Sequence, residues 1–164
     1  MCGIAGLVGP WPPSLVSAMT EAIAHRGPDG DGLWSDDGIV LGHRRLSIID
    51  PTDAAAQPMH TPDGRYSLTY NGEIYNYRDL RAELEQAGTV FGTVSDTEVM
   101  LHLFARYGLS CVEKLNGIFS FAVWDRETRT LSLARDHLGV KPLYYASPPK
   151  GFLFASELKA LALC

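Results

Sequence analysis

Apolar residues cluster along the chain in short runs that predict several strands. The segment from Cys2 to Val8 is apolar and is followed by Gly9-Pro10, which predicts a buried strand. Trp34 and the run Ile39–Leu41 flank Asp37-Gly38, a favoured two-residue turn, and predict a hairpin. A further strand is predicted where apolar and polar or small residues alternate, at Tyr66, Leu68 and Tyr70.

Helical spacing of apolar residues, with start and stop signals, predicts three helices. The first begins after Pro12-Pro13-Ser14 and stops near His25, because Gly27-Pro28 follows. The second covers Tyr77 to Ala87 and ends at Gly88, a residue type suited to a left-handed helix cap. The third opens at Ser95, which stands at capping-box spacing from Glu98, and closes at Gly108.

Two apolar segments, IFSFAVWD and TLSLARD, follow the third helix and predict a pair of strands with a charged turn between them. IFSFAVW is nearly continuous in its apolar character, which indicates a strand covered on both faces. The helices are early and central, and the strands are mostly joined by hairpins. This order favours antiparallel sheet between helical layers over a doubly wound parallel sheet.

Composition narrows the class of protein. The 164 residues are 46% apolar and 20% charged, as in ordinary globular chains, and fit one domain. The net charge is -5 and the Lys and Arg residues are scattered, which argues against nucleic acid and anionic membrane surfaces as partners. No apolar run is long enough to span a bilayer, and no signal peptide is apparent.

The cysteines and histidines add little sign of cross-links or metals. The three cysteines cannot all pair and are widely spaced, which argues for a reducing compartment, so we expect a cytoplasmic protein without a disulfide framework. The five histidines lack a recognisable metal-binding spacing, and we predict no metal site.

Cys2 has a chemical option that depends on its position. Its small side chain should permit removal of Met1, which would leave Cys2 with a free α-amine. An α-amine has a pKa near 7.7–8.0, so it can serve as a base for the thiol of the same residue. Alone the signal is weak, because a cysteine is also an ordinary small apolar residue at the start of a strand.

Six motifs accompany Cys2 and extend over nearly the whole chain. They are MCGIAG at the start, AHRGPDGDG at 24–32, GHRRLSIID at 42–50, YNGEIYNY at 70–77, SDTEV at 95–99 and RDHLGVKPLYY at 135–145. The set resembles the glutaminase domain of class II glutamine amidotransferases, and HRGPD and NGEIYN point to the asparagine synthetase branch. The resemblance implies an α+β fold, a four-layer αββα sandwich of two antiparallel sheets of the N-terminal nucleophile hydrolase type.

The resemblance also implies a reaction. Cys2 would attack the side-chain amide of glutamine, form a thioester and release ammonia, and water would then release glutamate. The donors for the oxyanion would be the Asn71 side chain and the Gly72 backbone N–H, each typically worth about 2.7–4 kcal/mol of barrier. From the residues alone, Asn71-Gly72 is also a strong signal for a hairpin turn, and the two interpretations can coexist.

By the same resemblance, the two charged ends of glutamine have partners. Arg45, before the LSI sequence, would bind the α-carboxylate, because a planar guanidinium suits a carboxylate. We expect its neighbour Arg44 at the surface. Asp96 would accept from the α-ammonium group, although a carboxylate in the first turn of a helix is also favourable on its own. Backbone or supporting contacts to glutamine are assigned to Ile48 and Glu73.

Other charged residues of the motifs are expected to support the site. Arg26 and Arg135-Asp136 are predicted to position loops or to pair charges. The SGGxDS loop of an ATP-pyrophosphatase is absent, and the chain stops at SELKALALC without a helix-ending signal. We therefore expect residues 1–164 to be a glutaminase domain truncated at its C-terminal end, with the synthetase domain absent.

The expected partners follow from that organisation. L-glutamine is the expected substrate, and a synthetase domain or chain would receive the ammonia to convert aspartate to asparagine, an acceptor that rests on the resemblance alone. No cofactor is expected in this chain, while ATP and Mg belong to the missing synthetase domain. Whether the chain forms a homodimer stays open.

Two other functions remain open at this point. One is a glutamine-binding or partner-binding module without catalysis, for which Cys2→Ala should change nothing. The other is an N-terminal-cysteine acylase, which would need a larger apolar pocket in place of paired Arg and Asp contacts.

Overall fold

The computed structural model describes residues 1–164 and contains nine strands and four α-helices. Short 3₁₀ helices cover Ala24–Arg26, Asp53–Ala55 and Gly108–Lys114. None of the α-helices is long and apolar enough to cross a membrane. In chain order, the elements are β1 (Gly3–Val8), α1 (Pro13–Ala22), β2 (Gly30–Asp36), β3 (Ile39–Arg45), β4 (Met59–His60), β5 (Tyr66–Ile74), α2 (Tyr77–Gln86), α3 (Asp96–Tyr107), β6 (Gly117–Asp125), β7 (Thr130–Arg135), β8 (Tyr144–Ala146), β9 (Phe152–Ala155) and α4 (Leu158–Leu161).

The strands form two antiparallel sheets that face each other. One sheet has the order β2-β3-β1-β9-β8 and the other has the order β4-β5-β6-β7. Helices α1 and α4 cover the outer face of the first sheet, and α2 and α3 cover the second. Strands β1 and β3 contact β5 across the interface between the sheets. The predicted α+β class and the αββα layering are confirmed.

Strand β6 shows why the second sheet needs cover on both sides. Phe119, Phe121 and Val123 are fully buried in the core beneath α2 and α3. Ala122 and Trp124 point the other way, into the core between the sheets. Successive side chains of a strand alternate between its faces, so an almost continuous apolar sequence fits only a strand buried on both. The prediction for IFSFAVW is confirmed.

The boundaries of α2 and α3 follow the local signals, whereas α1 ends at Ala22, before the predicted stop near His25. Gly88 ends α2 with a φ of +92°, a conformation that favours glycine. At the start of α3, Ser95 Oγ accepts a hydrogen bond from the backbone N–H of Glu98 at 3.3 Å, as a capping box requires. The Glu98 carboxylate does not reach back to Ser95 and instead accepts from the N–H groups of Gly92 and Thr93. It therefore fixes the loop before the helix.

The turn alternative for Asn71-Gly72 is wrong. Strand β5 continues through both residues to Ile74, with Asn71 opposite Ser120 and Gly72 opposite Phe119 on β6. A Cβ atom at Gly72 would lie 2.6 Å from the carbonyl oxygen of Ile118. The absence of a side chain at this glycine therefore allows β5 to lie close to β6. The pairing of β5 with β6 overrides the local preference for a turn.

Polar groups join the two sheets near the start of β1. His43 on β3 is fully buried, and its Nε2 lies 3.1 Å from the carbonyl oxygen of Tyr70 on β5. Thr69 Oγ1 donates to the carbonyl oxygen of Gly42 at 3.1 Å. Burial, with a smaller contribution from the charge of Arg45, lowers the pKa of His43 to about 3. The imidazole is therefore neutral, and its Nε2 carries the hydrogen donated to Tyr70.

We predict that His43 makes the fold sensitive to acid. Its pKa is about 3 in the folded chain and about 6.5 when unfolded, so its contribution to stability is complete above pH 6.5 and declines as the pH falls toward 3. At pH 5 the loss relative to pH 7 should be about 2 kcal/mol. Urea unfolding at both pH values measures the loss, and His43→Asn should reduce it.

The matched control is His137→Asn, since His137 is exposed. This variant should keep the full pH dependence of the wild type. An equal pH dependence in His43→Asn and the wild type would contradict the prediction.

Candidate active site

One cleft brings together all seven residues that the sequence analysis assigned to the site. It lies where β1 begins, beside the middle of β5, and has a volume of about 90 Å³. The loop after β3 and the start of α3 complete its walls. The residues lining it are Met1, Cys2, Arg45–Asp50, Ala55, Gln57, Tyr70–Glu73, Ser95–Thr97 and Lys141.

Cys2 is held from both its main chain and its side chain. Arg26 Nε donates to the carbonyl oxygen of Cys2 at 2.9 Å, and the same guanidinium pairs with Glu157 at 3.0 Å. The backbone N–H of Leu46 donates to Cys2 Sγ at 3.3 Å. Arg26 is thus a supporting residue, as predicted, and it fixes the residue that carries the thiol.

The electrostatic environment of the thiol is mixed. Burial raises the pKa of Cys2, because a thiolate loses more solvation than a thiol. The Leu46 N–H, the chain's amino terminus and the charges of Lys141 and Arg45 act in the opposite direction. The thiol is therefore protonated in the resting chain, and a nearby base is needed to make it nucleophilic.

Asn71 offers an unused hydrogen-bond donor in the cleft. Its side chain is 1% exposed, and its Nδ2 has no hydrogen-bond partner. Gly72 follows it along the same wall. Buried polar groups are nearly always paired, because an unpaired one costs about 1–3 kcal/mol. An unpaired amide beside Cys2 is thus available for an oxygen of a bound molecule.

The two adjacent arginines have different surroundings. Arg45 lines the cleft, donates to the carbonyl oxygen of Asp50, and forms no ion pair, which leaves donors available. Arg44 pairs with Glu21 of α1 and also donates to the carbonyl oxygen of Thr20. Arg44 lies outside the cleft, and its half-buried side chain pairs at the surface with the exposed carboxylate of Glu21.

Asp96 is buried at the first turn of α3 and faces the cleft. Its Oδ2 accepts hydrogen bonds from the Tyr70 hydroxyl at 2.8 Å and from the Ile74 N–H at 3.1 Å. Burial raises the pKa of Asp96, and these two hydrogen bonds act to lower it. The other oxygen makes no such hydrogen bond and is free to accept from a cationic group.

Ile48 and Glu73 complete the predicted set at the margin of the cleft. Ile48 is 61% exposed and lies on the rim. Glu73 follows Gly72 on β5 and is half-buried. Both positions are compatible with backbone or supporting contacts.

Three lining residues were not singled out from the sequence as site residues. Tyr70 was interpreted only as a strand residue, although its hydroxyl holds Asp96. Gln57 Oε1 accepts from the Tyr70 N–H, and Gln57 Nε2 donates to Thr97 at 3.4 Å. Lys141 enters the cleft from the loop after β7. Only the placement of Tyr70 and Lys141 inside motifs could have signalled them, because Asp96 is 26 positions from Tyr70 and the Lys141 amine has no partner in the chain.

Asp136 organises that loop. Its carboxylate accepts from the backbone N–H groups of Phe119 at 3.2 Å, Val140 at 2.9 Å and Lys141 at 3.0 Å. Burial acts to raise the pKa of Asp136, but these hydrogen bonds outweigh it and hold the pKa below its usual value. Asp136 does not pair with Arg135, so its role is to position the loop, one of the two predicted possibilities.

The family of the chain is shown by sequence comparison. The family model described as a glutamine amidotransferase domain matches residues 1–164. Asparagine synthetase [glutamine-hydrolyzing] 3 of Bacillus subtilis is 44% identical over 98% of this chain and 27% of its own length. The asparagine synthetase [glutamine-hydrolyzing] of Zea mays is 40% identical over 99% of this chain and 28% of its own length. The chain therefore spans about a quarter of the length of these curated relatives.

A solved structure shows the same fold at low sequence identity. The glutamine phosphoribosylpyrophosphate amidotransferase from B. subtilis, complexed with ADP and GMP, superposes with a TM-score of 0.85 at 23% identity. The match covers 99% of this chain and 43% of that one. At this identity the likeness supports the αββα fold and not a shared substrate.

We predict that Asp136→Asn destabilises the chain by about 2 kcal/mol, because an amide nitrogen would face backbone donors that a charged acceptor now satisfies. Urea unfolding at pH 7 measures the change. The exposed Asp53→Asn should alter stability by less than about 0.5 kcal/mol. Equal effects of the two substitutions would contradict the role of Asp136.

Proposed function

This chain belongs to the glutamine amidotransferase family, and from that premise we propose that it hydrolyses L-glutamine to glutamate and ammonia with Cys2 as the nucleophile. The observation that carries the proposal is the unpartnered Nδ2 of Asn71 in the cleft that also contains the Cys2 thiol. A developing oxyanion requires a hydrogen-bond donor of this kind. Without such an acceptor, a buried N–H group that makes no hydrogen bond is unfavourable.

The first step activates the nucleophile. Removal of Met1 frees the α-amine of Cys2 and vacates the part of the cleft that Met1 lines. The amine accepts the proton of the thiol, directly or through one water molecule, and leaves a thiolate next to an ammonium group. The Leu46 N–H that already contacts Sγ supports the negative sulfur.

The next steps transfer the acyl group. The thiolate forms an S–C bond to the amide carbon of glutamine, and the carbonyl oxygen becomes an oxyanion held by Asn71 Nδ2 and the Gly72 N–H. The ammonium group gives its proton to the amide nitrogen and the C–N bond breaks. Ammonia departs, and the acyl group remains on Cys2 as a γ-glutamyl thioester. Water, deprotonated by the same amine, then cleaves the thioester and releases glutamate.

The charges of the cleft support recognition of a free amino acid. Arg45 has donors available for the α-carboxylate, and the open oxygen of Asp96 is available for the α-ammonium group. Ile48 and the Glu73 backbone would add contacts at the margin. Paired cationic and anionic groups fit a zwitterion better than an N-acyl compound, which disfavours the acylase alternative.

The use of the ammonia is a further part of the proposal. The asparagine synthetases to which the chain is similar are about four times its length, since the match covers 26–28% of the B. subtilis, Zea mays and Escherichia coli proteins. We infer that a synthetase domain or chain receives the ammonia and amidates aspartate. ATP and Mg would be needed there, whereas the glutaminase chemistry above uses only groups of this chain and water.

The direct test is glutamate release from L-glutamine by the chain with Met1 absent, as verified by intact mass. Cys2→Ala should abolish release, because the nucleophile is gone. Asn71→Ala should lower kcat by about 100- to 1,000-fold, since one oxyanion donor is removed. Cys164→Ala alters an exposed thiol outside the cleft and should leave the rate unchanged.

The outcomes separate the alternatives. Release that depends on Cys2 supports the glutaminase, whereas cleavage of an N-acyl substrate but not of glutamine would replace it with an acylase. No release by the folded, Met1-free chain, with or without an added synthetase domain, would support a binding module without catalysis.

We also predict a pH effect through Tyr70. The Tyr70 hydroxyl helps to keep Asp96 ionised, so Tyr70→Phe should raise the already elevated pKa of Asp96 further. Protonated Asp96 cannot bind the ammonium group, so KM for glutamine should rise as the pH falls, and the rise should begin at a higher pH in Tyr70→Phe. Steady-state kinetics from pH 5 to pH 8 measure the shift.

Tyr145→Phe is the matched control, because Tyr145 is 69% exposed and outside the cleft. It should reproduce the wild-type pH profile. If Tyr70→Phe changes kcat alone and leaves the pH profile of KM in place, the contact between Tyr70 and Asp96 does not govern substrate binding.

A further inference from the structure

Lys141 brings an unpaired amine to the cleft. The residue is 5% exposed and lines the same cleft as Cys2 and Asn71. Its amine takes part in no ion pair or side-chain hydrogen bond, and only its backbone N–H is bonded, to Asp136. A lysine can bury its apolar stem and keep its charged head in contact with water. The ammonium group is therefore available to an anion that forms in the cleft.

The backbone of Lys141 is fixed at this place. The Lys141 N–H donates to Asp136 Oδ2, which also accepts from the N–H of Phe119 on β6. Phe119 pairs with Gly72 of β5, so the Lys141 loop is tied to the strand pair that carries the proposed oxyanion donors. The backbone that carries the Lys141 side chain is thus tied to the strand pair that contains Asn71.

The charges around the Cys2 thiol have opposite signs on different elements. Lys141, Arg45 and the amino terminus act to stabilise a thiolate, with Lys141 ahead of Arg45. Arg26 contacts the Cys2 carbonyl oxygen, and Glu73, Asp96 and Tyr70 lie on the β5 and α3 side of the cleft. Arg45 also binds the Asp50 carbonyl oxygen and is assigned to the substrate. Lys141 is therefore the side-chain cation left to act on the sulfur.

We propose that Lys141 is a positioning residue whose ammonium group stabilises the thiolate form of Cys2. The inference rests on the proposed function only in that Cys2 is the nucleophile. The step it promotes is transfer of the thiol proton to the α-amine of Cys2, which leaves a sulfur anion facing the Lys141 cation. No further reactant is needed, and a nearby positive charge favours the charged form of a thiol.

A structural role for Lys141 makes a different prediction. If the lysine contributed to folding, its replacement should destabilise the chain. If it serves the thiolate, a neutral side chain of similar length should leave stability nearly unchanged, because the amine makes no hydrogen bond or ion pair within the fold. Stability and thiol reactivity should therefore change independently in Lys141→Met.

The experiment measures the rate of Cys2 alkylation by iodoacetamide between pH 5 and pH 10 in the Met1-free chain. Peptide mass spectrometry separates Cys2 from Cys111 and Cys164. In Lys141→Met and Lys141→Gln the alkylation rate at pH 7 should fall about three- to tenfold, as the midpoint of the profile moves to higher pH. Lys141→Arg keeps the charge and should retain most of the wild-type rate.

Lys150→Met is the matched control, because Lys150 is exposed and adjoins Gly9, beyond the far end of β1 from Cys2. It should leave the profile unchanged. An unchanged profile in both neutral Lys141 variants, an equal shift in Lys141→Arg, or a marked fall in the thermal midpoint of Lys141→Met would each overturn the proposal. Because alkylation requires no glutamine, a chain that shows the shift yet releases no glutamate would contradict the proposed function and leave the role of Lys141 standing.

Discussion

The hydrogen bond from Arg26 to the carbonyl oxygen of Cys2 fixes the part of the chain on which the proposed chemistry depends. Chain termini are usually poorly ordered unless they are tied down, yet here the proposed nucleophile is the second residue. The neighbouring residues form β1, which lies between β3 and β9 in the first sheet. Arg26 is itself held by Glu157, which precedes α4, so the position of the thiol depends on contacts to both ends of the chain.

The second sheet supplies the other half of the cleft. The positions of Asn71 and Gly72 are fixed because β5 is a long central strand paired with β6. The polar contacts of His43 and Thr69 also hold β5 against the first sheet. A small shift between the sheets would therefore separate the thiol from the amide that faces it. Groups placed for catalysis require this kind of rigid support.

Some polar groups of the cleft lower the stability of the fold, and the proposed binding of a substrate would explain why they are present. An unpaired Asn71 amide and a buried Asp96 carboxylate each disfavour folding on their own. The apolar cores beneath the helices and between the sheets offset these costs. Polar groups that are unfavourable for folding are expected where a protein binds a charged molecule.

The sequence by itself determined the elements and most of the candidate site. Apolar periodicity, Gly88 and Ser95 act over a few neighbouring residues, so the strands, helix ends and layer type could be predicted from them. The motifs supplied Cys2, Arg45, Asn71 and Asp96, which do line one cleft, while their individual roles stay predictions.

Only the tertiary structure decided how those residues are supported. The strand position of Asn71-Gly72 depends on pairing with β6, more than 40 residues away in sequence, and overrides a local turn signal. The hydroxyl of Tyr70 reaches Asp96 across 26 positions, and Asp136 reaches Phe119 across 17. Such partners are chosen by sheet register and helix packing, so no short sequence window contains them. The burial of Lys141 without a counter-ion follows from the same long-range packing, and a local pattern does not encode it.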